Sequence, residues 1–272
     1  MFLQQLVTGI SVGGIYALLA TGYSLIYSLL DFSNWAHGEF AMVSAYIAIV
    51  LSSFMGMPFV LAAVGGMAGG ALVSFLCERF AYRRIRRNGA PNMFLMIAAM
   101  GLSNVFQQAA NLIFSGQYRS YPFKLPVSTI KVASAYIGVL DLVSLAITAV
   151  IITILVYLIN KTQFGLNVRA IACNAHAAKV LGVKVDRCIA TVFVLAGALA
   201  GVAGVLYGMK YNVFPTMGNV GLKAFIASVI GGLGSVPGAI VGAIILGVIE
   251  TFVSAFISSS LRDFFSFALL IV

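Results

Sequence analysis

Residues 1–30 read MFLQQLVTGISVGGIYALLATGYSLIYSLL, a run without one charged side chain. About 20 consecutive, mainly apolar residues are enough to carry a helix across the hydrocarbon core of a bilayer. The apolar residues here follow one another instead of alternating, which argues against a barrel strand. Backbone in lipid must satisfy its own hydrogen bonds, so the helix remains. The run lacks a basic start, is too long for a signal peptide, and ends at Asp31-Phe32-Ser33-Asn34 without a small-residue cleavage site. It therefore reads as a retained first helix.

The same pattern recurs along the chain. No charge occurs from Phe40 to Cys77, from Asn88 to Tyr118, over 142–160, from Cys188 to Met209, or from Ala224 to Ile249. Of the 272 residues, 61% are hydrophobic and 8% charged, with a mean hydropathy of +1.07. Soluble domains carry roughly 25% charged residues, so this surface faces mostly lipid. The sequence predicts helices near 6–30, 39–55, 58–78, 91–114, 136–160, 189–211 and 237–258. Residues 221–230 are too short to span and run into Gly231-Gly232-Leu233-Gly234-Ser235-Val236-Pro237-Gly238, the mark of a half-membrane element. A last apolar stretch, 264–272, stops after nine residues, as though trimmed within a final helix. The expected fold is an all-α polytopic membrane protein, a single transmembrane domain over 1–272. It would hold about eight spanning helices plus a short re-entrant or half helix.

Net charge is +9, which in a soluble protein would suggest nucleic acid, but the positions of the charges give it another meaning. Five arginines lie from Arg79 to Arg87, and Lys161, Arg169, Lys179, Lys184 and Arg187 share one loop. Basic loops stay cytosolic, so both segments are placed there, and no nucleic-acid partner is needed. Loop 115–135, with Tyr118, Arg119, Tyr121, Pro122, Lys124 and Pro126, is then external. Met1 is outside if 31–38 is a cytosolic turn, and inside if 31–55 is re-entrant. Cys77, Cys173 and Cys188 sit near the cytosolic segments without metal-ligand spacing. The 28 glycines include spacings of four at Gly65/Gly69, Gly66/Gly70, Gly197/Gly201, Gly204/Gly208 and Gly234/Gly238/Gly242, which let helices approach closely.

Enzyme chemistry finds little support. His37-Gly38-Glu39 offers an imidazole and a carboxylate but no third metal ligand, and His176 lies in the cytosolic loop. No hydrolase, zinc-protease or dinucleotide motif is in place. Polar residues within spans are costly and usually face a bundle interior or a pathway. Asn104, Gln107, Gln108 and Asn111 share one helix face, and Asn34 and His37 lie at the start of the second helix. These six are the candidate lining of a translocation pathway, with interhelical hydrogen bonding as the plainer role. Tyr16, Tyr23 and Tyr27 form a weaker face, and Glu250 sits near a helix end, within reach of the interface. The segment from Gly165 to Gly182 reads as a basic, Ala-rich amphipathic helix with Asn174 as a second cap.

That segment carries a resemblance. Gly165, Arg169, Ala170, Asn174, Ala178 and Gly182 follow a Gly-x-x-x-Arg-Ala-x-x-x-Asn-x-x-x-Ala-x-x-x-Gly pattern that resembles the coupling segment of high-affinity branched-chain amino-acid importer permeases. Thr8–Leu18, Asn34-Trp35-Ala36-His37-Gly38-Glu39, Gly197–Tyr207, Lys223-Ala224-Phe225 and Gly231–Gly238 resemble other stretches of that family in the same order, closest to the LivH type. The resemblance implies a bacterial inner-membrane permease paired with a second, related permease. It implies two cytosolic ATPases, which bind ATP and Mg and dock on segment 161–188, and a periplasmic binding protein that delivers the solute. This chain itself would hold no cofactor. Some members carry acidic residues where this chain has Cys173, Asn174, Ala175 and His176. Urea and short-amide importers use similar permeases and are the nearest alternative. A secondary carrier would want a buried carboxylate pair, and a simple channel would not need the coupling segment.

Overall fold

The structure, a computed structural model, describes residues 2–122, 129–132 and 135–271. The chain runs through α1 (Phe2–Leu30), α2 (His37–Ile49, prolonged by a π-helical turn over Val50–Phe54) and α3 (Phe59–Cys77). A second π-helical turn, Glu78–Tyr82, joins α3 to α4 (Arg83–Arg87), and α5 (Asn92–Phe114) follows. After a hairpin of β1 (Thr129–Val132) and β2 (Ala135–Gly138) come α6 (Val139–Lys161), α7 (Gln163–Cys173), α8 (Ala175–Val180) and α9 (Val185–Tyr211). A 3-10 turn (Pro215–Asn219), α10 (Val220–Gly231), α11 (Val236–Phe256) and α12 (Arg262–Ile271) complete it.

Among the described residues, seven helices are long and apolar enough to cross a membrane. The difference from the expected eight is α12, whose ten residues begin at Arg262 and rise only about 15 Å. Two expected boundaries also move. The arginine cluster belongs to a continuous helix from Phe59 to Arg87, because nothing between Cys77 and Arg83 breaks it. The predicted start of α6 at 136 falls in β2, so that helix begins at Val139. Within loop 115–135, Arg119 and Val213 exchange backbone hydrogen bonds of 2.8 Å, and buried Tyr121 donates to the Ala45 carbonyl. Lys124 and Pro126 lie outside the described residues.

α1 is the hub, with α6, α9, α10 and α11 around it, while α2, α3 and α9 form the adjoining layer. Small residues permit both crossings. A Cβ added at Gly13 would come within 2.7 Å of the Ile244 Cα on α11, and one at Gly247 within 2.3 Å of the Gly13 backbone nitrogen. Between α3 and α9, a Cβ at Gly70 would lie 2.7 Å from the Gly197 carbonyl oxygen and one at Gly197 2.5 Å from that of Gly70. In lipid, where apolar burial drives little association, this backbone proximity supplies the packing. The outward faces of α3, α5 and α6 carry Val60, Leu72, Ile97, Leu112, Val150 and Ile154 to the surface, as lipid contact requires.

The turn after α1 lies beside the arginine-bearing end: Asn92 donates to the Asp31 carbonyl, and the Tyr82 hydroxyl donates to Asn34 at 2.8 Å. The Phe2 end of α1 therefore lies at the side of the bundle opposite the arginines. Yet the chain then dips back into the bundle. His37 reaches the Leu19 carbonyl at 3.2 Å and lies against Gly22, about 12 Å up α1 from Leu30. α2 is thus a helix of spanning length, with its π-helical extension, that begins inside the bundle. α10 is its counterpart. It starts against Gly38, passes Ala20 through the Ser228 hydroxyl, and ends at the Gly234 turn beside Ser28.

Candidate functional site

Because α2 and α10 both begin inside the bundle, their N-terminal ends meet. Gly38 and Gly221 make the meeting possible: a Cβ at Gly221 would stand 2.6 Å from the Gly38 Cα, and one at Gly38 2.0 Å from the Gly218 carbonyl oxygen. Beside this crossing is a cavity of about 130 Å³. Asn34, Trp35, Glu39, Ser103 and Asn219 supply its polar groups; Tyr23, Leu222 and Phe225 supply apolar surface. The Phe225 ring stands 5.4 Å from that of Tyr23 and 5.9 Å from that of Trp35. Interrupted helices whose positive ends converge within a membrane suit a polar or anionic solute group.

The polar groups here are incompletely satisfied. Asn34 Oδ1 accepts from the Tyr82 hydroxyl and, at 3.2 Å, from the Ala36 backbone N–H, which only donates. That fixes the amide orientation and leaves Nδ2 without a partner. Trp35 Nε1 and Glu39 Oε2 are likewise buried without partners, while Glu39 Oε1 accepts from Ser103 at 3.2 Å. An orphaned buried polar group costs about 1–3 kcal/mol, so such a cluster in one cavity is a feature to explain.

Of the six residues expected along a pathway, Asn34 lines this cavity. His37 is fully buried next to it but turns toward α1 and does not line it. The α5 residues are not brought to it either. Asn104 is exposed and donates to Met100 in its own helix, Gln108 is exposed, and Gln107 and Asn111 are half-buried. Ser103, one position before the polar stripe, is the α5 residue at the cavity. Sequence reasoning missed Trp35, Ser103, Asn219 and Phe225 and weighed Glu39 only for metal chemistry. The available signal was a carboxylate that, with Asp31, is all the charge between residue 1 and Cys77.

At the arginine-bearing end of the bundle the six patterned residues shape a corner. Thr162 caps α7, accepting from the Gly165 N–H, and Arg169 donates to the Ile159 carbonyl at the end of α6 at 2.6 Å. Gly165 presses on that same carbonyl. Asn174 ends α7 and caps α8, its Oδ1 accepting from the Ala177 N–H at 2.9 Å. Ala178 is buried, Ala170 half-buried, and Gly182 turns the chain at φ +88°. The single amphipathic helix expected over this segment is therefore two helices, because Asn174 takes an extended conformation between them. What the corner presents outward is a different set: Leu166, His176, Val180 and Leu181, with Lys179, Lys184 and Arg187 nearby. The adjacent groove, about 840 Å³, is walled by Arg83, Arg86 and Arg87, all three paired to Asp186 at 2.9 Å.

Replacing Asn174 with alanine is expected to cost about 1 kcal/mol of α8 stability and to lower uptake partially. Asn174→Asp, which can still cap, should retain it. Radiolabelled uptake compared at equal membrane abundance measures this, and equal loss in both variants would show that capping is not the role.

A helical bundle with two helices that begin in its interior around a polar cavity, and a basic helical corner at one end, defines a multi-pass membrane transport protein. Residues 5–272 match the family described as branched-chain amino acid transport system / permease component. The chain belongs to that family. The high-affinity branched-chain amino acid transport system permease protein BraD of Pseudomonas aeruginosa is 36% identical over 285 residues, covering 100% of this chain and 92% of its own length. The corresponding protein LivH of Escherichia coli is 34% identical over 295 residues with the same coverage. The fructose import permease protein FruF of Bifidobacterium longum is 28% identical over 84% of this chain and 62% of its own length.

Proposed function

We propose that this chain is a membrane-spanning subunit of an ATP-driven importer of branched-chain amino acids in a bacterial inner membrane. The observation that carries the reading is similarity to two branched-chain permeases along the whole chain, through every spanning helix. The fructose relative matches less of the chain at lower identity, and the apolar flank of the cavity suits a hydrophobic side chain better than a sugar. In this reading a second permease completes the pathway, two cytosolic ATPases bind ATP and Mg, and a periplasmic protein delivers the solute. The exposed Val180 and Leu181 among basic residues form a surface that a protein partner would cover.

The coupling step follows from the corner geometry. α7 is fixed to α6 by Gly165 and Arg169 and rests on α1 and α9, so a push on α7–α8 moves helices that frame the cavity. Closure of the ATPases would thereby bias a two-state bundle. The test is affinity purification of the tagged chain from its own membranes, followed by leucine and urea uptake by the reconstituted complex. Two ATPases, a second permease and leucine uptake are expected. Recovery of this chain alone, or uptake of urea without leucine, would overturn the reading.

A further inference from the structure

We propose that the cavity between α2 and α10 binds the zwitterionic head of an α-amino acid, its ammonium on Glu39 and its carboxylate on Asn34 Nδ2 and Trp35 Nε1. The proposal rests on the import reading above and names how that solute is held on its way through.

Charge pairing singles out Glu39. The chain has seven acidic residues. Glu78 pairs with Arg86, Asp141 with Lys210, Asp186 with three arginines, Glu250 with Lys223 and Arg262, and Asp263 with Lys223. Of the remaining two, Asp31 is exposed in the cytosolic turn. Glu39 is 3% exposed and has only the Ser103 hydroxyl. Among the described residues it is thus the buried acid that faces no base. An ionised carboxylate in a low-dielectric interior calls for a cation. The N-terminal end of α2, where Glu39 occupies the first turn, stabilises the anion but does not neutralise it.

The orphaned donors complete the match. Asn34 Nδ2 and Trp35 Nε1 are donors without acceptors, and both residues line the cavity that Glu39 lines. One unpaired carboxylate and two unpaired donors are the complement of an ammonium and a carboxylate on one small head group. The N-terminal end of α10 adds positive potential on the carboxylate side. Tyr23, Leu222 and Phe225 leave apolar surface for the side chain. Neither urea nor a sugar carries a cation to set against Glu39.

The experiment uses the complete importer in proteoliposomes, with its binding protein, and reads leucine uptake and binding-protein-stimulated ATP hydrolysis together. Glu39→Gln keeps the shape and the Ser103 contact but removes the charge. It should lower leucine uptake by about 100-fold, the cost of leaving a buried charge unpaired, while stimulated hydrolysis persists. Glu39→Asp should recover part of the uptake, which a purely structural role would not predict. Trp35→Phe, which keeps an aromatic ring and deletes the donor, should raise the leucine concentration for half-maximal uptake by about 10-fold. Wild-type uptake in Glu39→Gln, or uptake and stimulated hydrolysis falling together, would overturn the assignment. Should Glu39→Gln fail to assemble, Trp35→Phe with unchanged half-saturation would do so instead. A wild-type complex that moves no branched-chain amino acid would refute the import reading itself, a result distinct from any of these.

Discussion

Gly165→Ala is expected to abolish uptake although it adds one methyl group. That Cβ would lie 1.8 Å from the Ile159 carbonyl oxygen and 2.4 Å from its carbon. Both are backbone atoms at the end of α6, so no side chain can swing aside. The same carbonyl accepts from Arg169, and Leu158, one residue earlier, accepts from the Thr162 hydroxyl that caps α7. Relieving the clash must therefore lift α7 off α6 and break the Arg169 contact, at a cost of about 3 kcal/mol or more when overpacking and the lost charged hydrogen bond are combined. Gly182→Ala is the control. It sits at φ +88° with open space around it, so alanine there costs only about 1–2 kcal/mol of backbone strain. The measurement is uptake and ATP hydrolysis in the reconstituted complex. Gly165→Ala should hydrolyse ATP without import, and Gly182→Ala should import at a reduced rate. Equal activity in the two would mean that the α6–α7 corner does not transmit the stroke.

The contrast between these glycines shows which parts of the fold were legible in the sequence. Charge-free windows announced the spanning helices, because lipid tolerates almost nothing else over that length. Spacings of four announced Gly66, Gly70, Gly197 and Gly201 as close-approach positions; Gly70, Gly197 and Gly201 meet across α3 and α9, and Gly66 packs on the Ser44 carbonyl of α2. Gly9 and Gly13 carry the α1–α11 crossing with the same spacing, inside a helix whose apolar run drew attention away from it. The end of α10 at a Gly-rich break was visible; the start of α2 inside the bundle was open only as the re-entrant alternative for 31–55, since nothing local says that His37 will reach back to Leu19. The cavity followed the same rule. Asn34 was legible as a polar residue out of place. Ser103, Asn219 and Phe225 are ordinary in sequence and gain meaning only because α2, α5 and α10 converge on them. For the pattern over 165–182, the family resemblance named the residues but not their work. Gly165, Arg169 and Asn174 build the corner from within, while Val180 and Leu181 stand exposed beside it.

Glu250 is another place where the structure departs from the sequence reading, and it carries the other large expected effect. Near a helix end it was expected to reach the interface, but it is fully buried because three other helices supply its partners. Oε2 accepts from Tyr16 of α1 at 2.9 Å and from Arg262 of α12 at 2.7 Å. Oε1 faces Lys223 of α10 at 2.9 Å and accepts from Ser266 of α12. The carboxylate therefore fastens α12 and the half-membrane helix α10 to the α1–α11 pair. Glu250→Gln would leave Arg262 without its counter-charge and Lys223 with only the exposed Asp263, costing about 3–5 kcal/mol. Asp263→Asn removes the other partner of Lys223, but Asp263 is 68% exposed, so that pair contributes about 1 kcal/mol or less. Thermal unfolding of the purified chain in detergent should show a large drop in melting temperature for Glu250→Gln and almost none for Asp263→Asn. Removing Glu250 and both bases together, with Leu and two Met, should recover much of the loss, because a buried ion cluster is costly to break and far less costly to replace whole. Similar melting temperatures for Glu250→Gln and the wild type would mean that water reaches this cluster, and that α12 is held by its apolar face instead.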